Sequence, residues 1–251
     1  MKRMYKKGLL VGLSLATAVV GSVLTSCTQS RYIQPPKFNY AELSPYEKFV
    51  TRNRLYPTVM HVYLDDELLE KADKKSQVVI CLGQQRGRLY VDNKVAADWP
   101  VSTGADTHPT PTGKFRIILK KEEHASNRYG KIYNADNKCI DNNADVFTNP
   151  VPEGCRFEGA AMPNWMRLTS DGVGMHTGRV EAGKRLSHGC IRTPHTVACM
   201  LFEKLDYGSS VLITEDIEPN YPVATIMAHR EIAAAESAAE AQPEELPADA
   251  E

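Results

Sequence analysis

No part of this 251-residue sequence gathers Lys and Arg into a run long or one-sided enough to grip a phosphate backbone, which argues against a nucleic-acid partner. The 30 basic residues are offset by 31 acidic ones, for a formal charge of −1. Four of the basic residues (Lys2, Arg3, Lys6 and Lys7) crowd the N-terminus, and without them the balance falls to about −5. The histidines and cysteines lack the paired spacing of a zinc site. The length allows one ordinary domain with a sizeable core and some extras, and is short for two full domains.

The N-terminus has a basic start, Met1 to Lys7, then an uncharged stretch from Gly8 to Ser26 rich in Leu, Val, Ala and Gly, which is the layout of a secretory signal. Nineteen uncharged residues could nearly span a bilayer, so an uncleaved anchor is the alternative. Gly, Ser and Thr dilute the stretch, however, and it ends in Leu24-Thr25-Ser26-Cys27, which resembles the bacterial lipobox. That resemblance implies a signal peptide over residues 1–26, lipidation of Cys27, and a protein of the cell envelope or periplasm held to a membrane by its lipid anchor. Export would place Cys81, Cys139, Cys155, Cys190 and Cys199 where disulfides can form. Their number is odd, so at least one stays unpaired. Cys81 lies in an apolar run and Cys199 in a helix-like stretch, and both read as buried small hydrophobes. Cys139 and Cys155 flank a polar segment and can pair, in which case their bridge would rigidify it.

Residues 27–75, polar and punctuated by Pro35, Pro36, Pro45 and Pro57, read as a tether with short structure at most, including a helix over Leu64 to Lys71. A domain follows over residues 76–216. Gln77 to Leu82, Arg88 to Val91, Val95 to Ser102, Lys114 to Lys120, Trp165 to Thr169, Val173 to His176 and Ser210 to Thr214 are β-rich, and Asp92-Asn93-Lys94 is a hairpin turn. One late helix, Pro194 to Leu205, carries Val197, Met200, Leu201 and Leu205 on one face. The fold expected is mainly β, a Greek-key-like sandwich or barrel with one helix after the active-site loop. Residues 127–157 are Asn- and Asp-rich without periodicity and read as an inserted loop. Residues 217–251, dominated by Ala and Glu, read as a mobile tail.

One segment concentrates chemistry: Asp171-Gly-Val-Gly-Met-His176-Thr-Gly178, then Ser187-His188-Gly189-Cys190-Ile191-Arg192. A nucleophilic cysteine needs a thiolate, and a neighbouring histidine can take the proton. If the residues between fold over as a loop, His176 at a strand end can meet Cys190. Gly189 lets the backbone turn sharply, and the N–H groups of His188, Gly189 and Cys190 can face a developing oxyanion. The positive end of the helix opened by Pro194 would lower the thiol pKa. Spacing alone leaves other readings open: a buried or bridged Cys190, a hydrogen-bonded structural His176, or a zinc site using His176, His188 and Cys190.

The same segment resembles the signature of the L,D-transpeptidase (YkuD-like) family, Ser/Thr-His-Gly-Cys-hydrophobic-Arg preceded by a His-x-Gly element. Pro100-Val101-Ser102-Thr103-Gly104 and Thr110-Pro111-Thr112-Gly113-Lys114-Phe115 resemble two further family elements in the right order. The resemblance spans roughly Gln77 to Thr214, and the short loop between His176 and Cys190 matches one branch of the family. It implies Cys190 as nucleophile, His176 as general base, Ser187, His188 and Gly189 as loop and oxyanion support, and Arg192 as a substrate-binding group. Arg192 pairing with a local carboxylate is the alternative. Trp165 lines the cleft or belongs to the core. The activity implied is acyl transfer without a cofactor: a thioester with a peptidoglycan stem peptide, release of D-Ala, and transfer to an amine of another stem or of an envelope protein. The rivals are a carboxypeptidase or hydrolase, which would detach proteins from peptidoglycan, and a non-catalytic wall-binding lipoprotein. Papain- and NlpC/P60-type hydrolases place Cys before His, the reverse of the order here.

Overall fold

The apolar run Val78-Val79-Ile80-Cys81-Leu82 has no polar alternate, the pattern of a strand covered on both faces. A computed structural model, which describes residues 40–216, shows what covers it. The signal segment, Cys27 and the tail from residue 217 lie outside the described residues.

A six-stranded sheet is built from β1 (Tyr63–Leu64), β2 (Gln77–Cys81), β3 (Arg86–Val91), β4 (Lys94–Pro100), β5 (Gly113–Arg116) and, at the end of the domain, β13 (Ser210–Thr214), in the order β1-β4-β3-β2-β13-β5. Pairing is antiparallel except between β2 and β13. The β3–β4 turn places Asp92 at φ 48° and Asn93 at φ 61°, the left-handed pair that the hairpin reading required. A second sheet runs β12 (Ile191–Thr193), β11 (Gly174–Thr177), β10 (Trp165–Arg167), β6 (Leu119–Lys121). The stretch expected as one strand over 114–120 is two, because the chain crosses between sheets: Ile117 N–H donates to Ser209 and Ile118 N–H to Arg167. One core lies between the sheets, with Val78, Ile80, Leu89, Trp99 and Ile213 from the first and Met166, Met175 and Ile191 from the second. Helix α3 (His195–Lys204) closes it with Val197 and Leu201, and Leu205 follows them inward. The architecture is β-dominated, with this helix after the loop that carries Cys190.

Two regions differ from the sequence reading. The expected tether is part of the fold from Pro45 onward. Helix α1 (Pro45–Arg52) starts with a reciprocal capping box between Ser44 and Glu47, and α2 (Asp66–Glu70) is capped by Asp65. Tyr46, Val50 and Tyr56 cover the outer face of the first sheet over Val79, Tyr90 and Val95. Beneath them the Asp98 carboxylate is fully buried and accepts hydrogen bonds from Tyr46 (2.6 Å), Tyr56 (2.7 Å), Arg86 Nε (2.7 Å) and Arg88 Nε (3.0 Å). Burial alone would raise its pKa, but Arg88, Arg86 and the two phenols outweigh it and hold the carboxyl below its usual range. The same burial, with Asp98 close by, pushes Tyr56 up to about 12.

The expected loop at 127–157 is instead a three-stranded antiparallel arm, β7 (Ala125–Tyr133), β8 (Cys139–Asp145) and β9 (Arg156–Ala161), with β7 in the centre. Only Ile132 and Ala144 of its strand residues are buried, so backbone pairing rather than burial defines it, which is why apolar periodicity is missing. The arm also settles the cysteines within it. Tyr133 of β7 pairs with Cys139 on one side and with Arg156, next to Cys155, on the other. Two strand spacings, about 9.5 Å, then separate the cysteines, whereas a disulfide needs Cα atoms within about 7 Å. Both are free thiols, and the expected bridge is not formed.

Peptide mapping under non-reducing conditions should therefore find Cys139 and Cys155 alkylatable in the native protein. Removing the shared acceptor with Asp98→Ala leaves two buried guanidinium groups unpaired and should cost about 3–5 kcal/mol in urea-unfolding stability. Because Asp98 is held below its unfolded pKa, its contribution is present above the unfolded value of about 3.9 and is lost as pH falls through the folded value. The gap between wild type and Asp98→Ala should accordingly narrow in strong acid.

Candidate active site

Strands β11 and β12 are parallel, with Met175 opposite Ile191, His176 opposite Arg192 and Thr177 opposite Thr193. Met175 and Ile191 are fully buried in the core. Side chains alternate along a strand, so His176 and Arg192 emerge on the other face, and Cys190, two residues before Arg192, joins them. All three line one cavity of about 960 Å³.

The loop before β12 is held by the two upstream elements that the sequence pattern singled out. Thr103 C=O accepts the N–H groups of Leu186 (2.8 Å) and Ser187 (3.0 Å), and Ala105 N–H donates to Ser187 C=O (2.9 Å). Thr110 Oγ1 accepts from Gly104 N–H (2.8 Å) and donates to Gly189 C=O (2.7 Å). A side chain at Gly104 would put its Cβ 2.1 Å from the His108 carbonyl oxygen, so the loop's seat depends on that glycine. Gly189 itself sits at φ 110°. Its N–H donates to Ser187 Oγ (3.1 Å), and that hydroxyl in turn donates to Cys190 C=O. Ser187 thus supports the loop, but the expected Gly189 oxyanion donor is already committed. The N–H groups of His188 and Cys190 have no acceptor among the described residues.

His176 is 5% exposed, and its Nδ1 donates to the Thr177 carbonyl at 2.8 Å. A carbonyl can only accept, so Nδ1 carries the proton and Nε2 is the bare, basic nitrogen. Burial first, then the charges of Arg192 and His124, lower its pKa to about 4 despite the Thr177 bond. Burial pushes the Cys190 thiol up, against the pull of the Gly174 N–H and Arg192. The lowering expected from the helix start does not prevail. Cys190 Sγ donates to Gly172 C=O at 3.7 Å and makes no hydrogen bond to His176 among the described residues. Both shifts favour the neutral thiol and the neutral imidazole at rest.

The half-buried Arg192 guanidinium has no hydrogen-bond or ion-pair partner among the described residues, so the local-carboxylate alternative is not realised. His188 turns to stack on Tyr129 of the arm (4.2 Å, 17°), with His108 edge-on at 4.9 Å. Among the described residues no three His, Cys, Asp or Glu side chains are grouped to hold a metal ion, which removes the zinc reading. Trp165 is both core and cleft: 3% exposed, it stacks on His124 at 3.7 Å and lines the cavity. The sequence reading missed Tyr129, and also Arg128, which is paired with Asp145 (2.8 and 2.9 Å) and reaches over the Tyr129 ring. It also missed Asn164, whose Oδ1 accepts the Thr177 hydroxyl at 3.1 Å.

Residues 75–213 match the YkuD family, the L,D-transpeptidase catalytic domain, and the chain belongs to that family. The Bacillus subtilis (strain 168) protein YqjB, provisionally named an L,D-transpeptidase, is 34% identical over 132 residues. The match covers 51% of this chain and 65% of YqjB, so the chain spans just under two thirds of that relative. Among solved structures, an L,D-transpeptidase from Mycobacterium smegmatis is 20% identical with a TM-score of 0.44, covering 56% of this chain and 58% of its own. An Enterococcus faecium L,D-transpeptidase is 28% identical with a TM-score of 0.42, covering 56% and 50%.

A neutral resting pair makes a definite pH prediction. Alkylation of Cys190 by iodoacetamide, followed peptide by peptide in a mass spectrometer, should keep accelerating above pH ~8.5, where an ordinary thiol is half ionised. A rate already level at neutral pH would instead mean a standing thiolate–imidazolium pair.

Proposed function

We propose that the chain is a peptidoglycan L,D-transpeptidase in which Cys190 is the nucleophile and His176 its base. The observation carrying this reading is the β11–β12 register, which opens the Cys190 thiol, the bare nitrogen of His176 and the uncommitted Arg192 into one cavity. In the proposed reaction, His176 Nε2 takes the thiol proton as sulfur attacks the carbonyl of the third, L-centred residue of a stem peptide. The N–H groups of Cys190 and His188 are the oxyanion donors available. The C–N bond to the terminal D-Ala breaks, His176 returns the proton to the leaving amine, and a thioester remains. An amine on a second stem or an envelope protein then displaces the sulfur, giving a new amide. Arg192 suits a substrate carboxylate, since a guanidinium pairs bidentately with one. No step calls for a cofactor.

We also propose that the chain is exported and lipid-anchored to a membrane through Cys27, on the strength of the basic start, the uncharged stretch and the lipobox-like end. Metabolic labelling with a clickable fatty acid should mark the wild-type chain and leave Cys27→Ala unmarked.

Incubation of the purified chain with disaccharide-tetrapeptides should give cross-linked dimers that have lost one D-Ala, identified by mass spectrometry. Cys190→Ala and His176→Ala should reduce their formation to background, a loss of roughly 10³-fold or more. Trimmed monomers without dimers would transfer the acyl group to water and make the protein a carboxypeptidase. Product patterns identical to those of Cys190→Ala would leave a binding protein only.

A further inference from the structure

The base is oriented by a carbonyl, and that carbonyl is itself clasped. His176 Nδ1 donates to the Thr177 C=O, whose peptide is anchored by Gly178 N–H on the Thr193 C=O (3.1 Å), and Thr177 itself is fixed at two further points. Its N–H donates to Pro163 C=O at 2.9 Å, and its hydroxyl donates to Asn164 Oδ1 at 3.1 Å. Asn164 Oδ1 also accepts the Cys199 thiol at 3.5 Å from helix α3, and Asn164 N–H donates to Glu122 C=O at 2.7 Å. Asn164 stands where the chain leaves the arm and re-enters β10, at φ 55°. Asn accepts this left-handed backbone more readily than most residues, and a side-chain amide oxygen has lone pairs for two donors. One residue therefore meets both the backbone and the hydrogen-bond requirement of the position.

We infer that Asn164 is a positioning residue for the base: by clasping the Thr177 hydroxyl it adds a restraint on the Thr177 carbonyl beyond the backbone bonds and so helps keep the His176 proton on Nδ1. Without the clasp, Thr177 keeps its backbone bond to Pro163 and its peptide keeps the Gly178–Thr193 bond, but its carbonyl loses one of the restraints on its direction. The imidazole can then exchange to the tautomer with Nε2 protonated, which cannot accept the Cys190 proton. The inference rests on the proposed role of His176, but its physical content, one enforced tautomer, holds whatever the substrate.

Three variants separate the hydrogen bond from the fold. Asn164→Gly keeps the left-handed backbone at no steric cost and removes the acceptor. Thr177→Val removes the donor at nearly constant shape, and Thr177→Ser keeps it. In the full chain labelled with ¹⁵N-histidine, the ring nitrogen shifts of His176 report the tautomer directly. Wild type and Thr177→Ser should show one neutral form with Nδ1 protonated, while Asn164→Gly and Thr177→Val should show a mixture. In the muropeptide assay, those two variants should lose about ten- to a hundred-fold in kcat with KM unchanged. That is less than the ~10⁴-fold known for replacing a triad's orienting group, because the carbonyl itself remains. The double variant should be no worse than either single one, as expected for two halves of one bond. A single Nδ1-protonated form in both variants would overturn the inference. A wild type that forms no product while showing the predicted tautomers would overturn the transpeptidase reading and leave the clasp intact.

Discussion

The site depends on the register between β11 and β12. In a pleated sheet a slip of one residue exchanges the two faces. A slip of β12 would bring Ile191 into the cavity and force Arg192 and Cys190 towards the core, and a slip of β11 would do the same to Met175 and His176. The register is fixed by apolar burial: both partners on the inner face are fully enclosed, next to Met166 of β10 and Leu201 of α3. Reciprocal backbone bonds between Ser102 and Arg192 (3.1 and 2.9 Å) tie the strand to the segment after β4, so the two sheets share the constraint. The side chains that face the cavity are thus placed by residues buried on the opposite face of the sheet.

The burial that places these groups also sets their resting charge. Desolvation moves His176 and Cys190 in opposite directions, each toward neutrality. Arg192 works on both at once. Its positive charge favours a thiolate and disfavours an imidazolium, so it helps one half of a proton transfer and opposes the other. For the chemistry proposed above, a substrate carboxylate bound at Arg192 would cancel much of that field and allow His176 to accept a proton. The proposed nucleophile would then be activated mainly when a ligand fills the cavity, which would protect the thiol in the oxidising compartment that the export proposal implies. The upward shift of the free thiol acts in the same direction, since thiolates rather than thiols are readily oxidised.

What could be read from the sequence was local. The His176-to-Cys190 segment, the β3–β4 turn and the apolar face of α3 each follow from residues within about fifteen positions of one another. Contacts between distant residues were not legible: Tyr46 reaches Asp98 across 52 positions, and Tyr56 reaches it across 42. Signals did exist. Ser44-Pro45-Tyr46-Glu47 spells a capping box with Pro at the first helical position. A lone carboxylate between Ala97 and Trp99 in an apolar run is the mark of a buried charge seeking partners. The arm gave no such signal, because strands exposed on both faces need no apolar alternation. Asn164 was hidden for another reason: the role inferred for it comes from a backbone angle and a contact with β11, neither of which leaves a sequence pattern.

The arm is the least securely held part of the cavity wall. It continues from β6 and β10 through the bonds Met162 N–H to His124 C=O (2.7 Å) and Asn164 N–H to Glu122 C=O (2.7 Å). Farther out, its contact with the loop before β12 runs through the Tyr129–His188 stack, with His108 edge-on to both rings. An aromatic pair of this kind contributes about 0.5–1.5 kcal/mol beyond its buried area, comparable to thermal energy. The arm strands bury little of their own to resist bending. The base of the arm is a different matter, since it ends at Pro163 and Asn164, the residues that fix Thr177. For a peptide substrate as proposed above, the wall would then yield at Tyr129 while its base beside Thr177 stays in place.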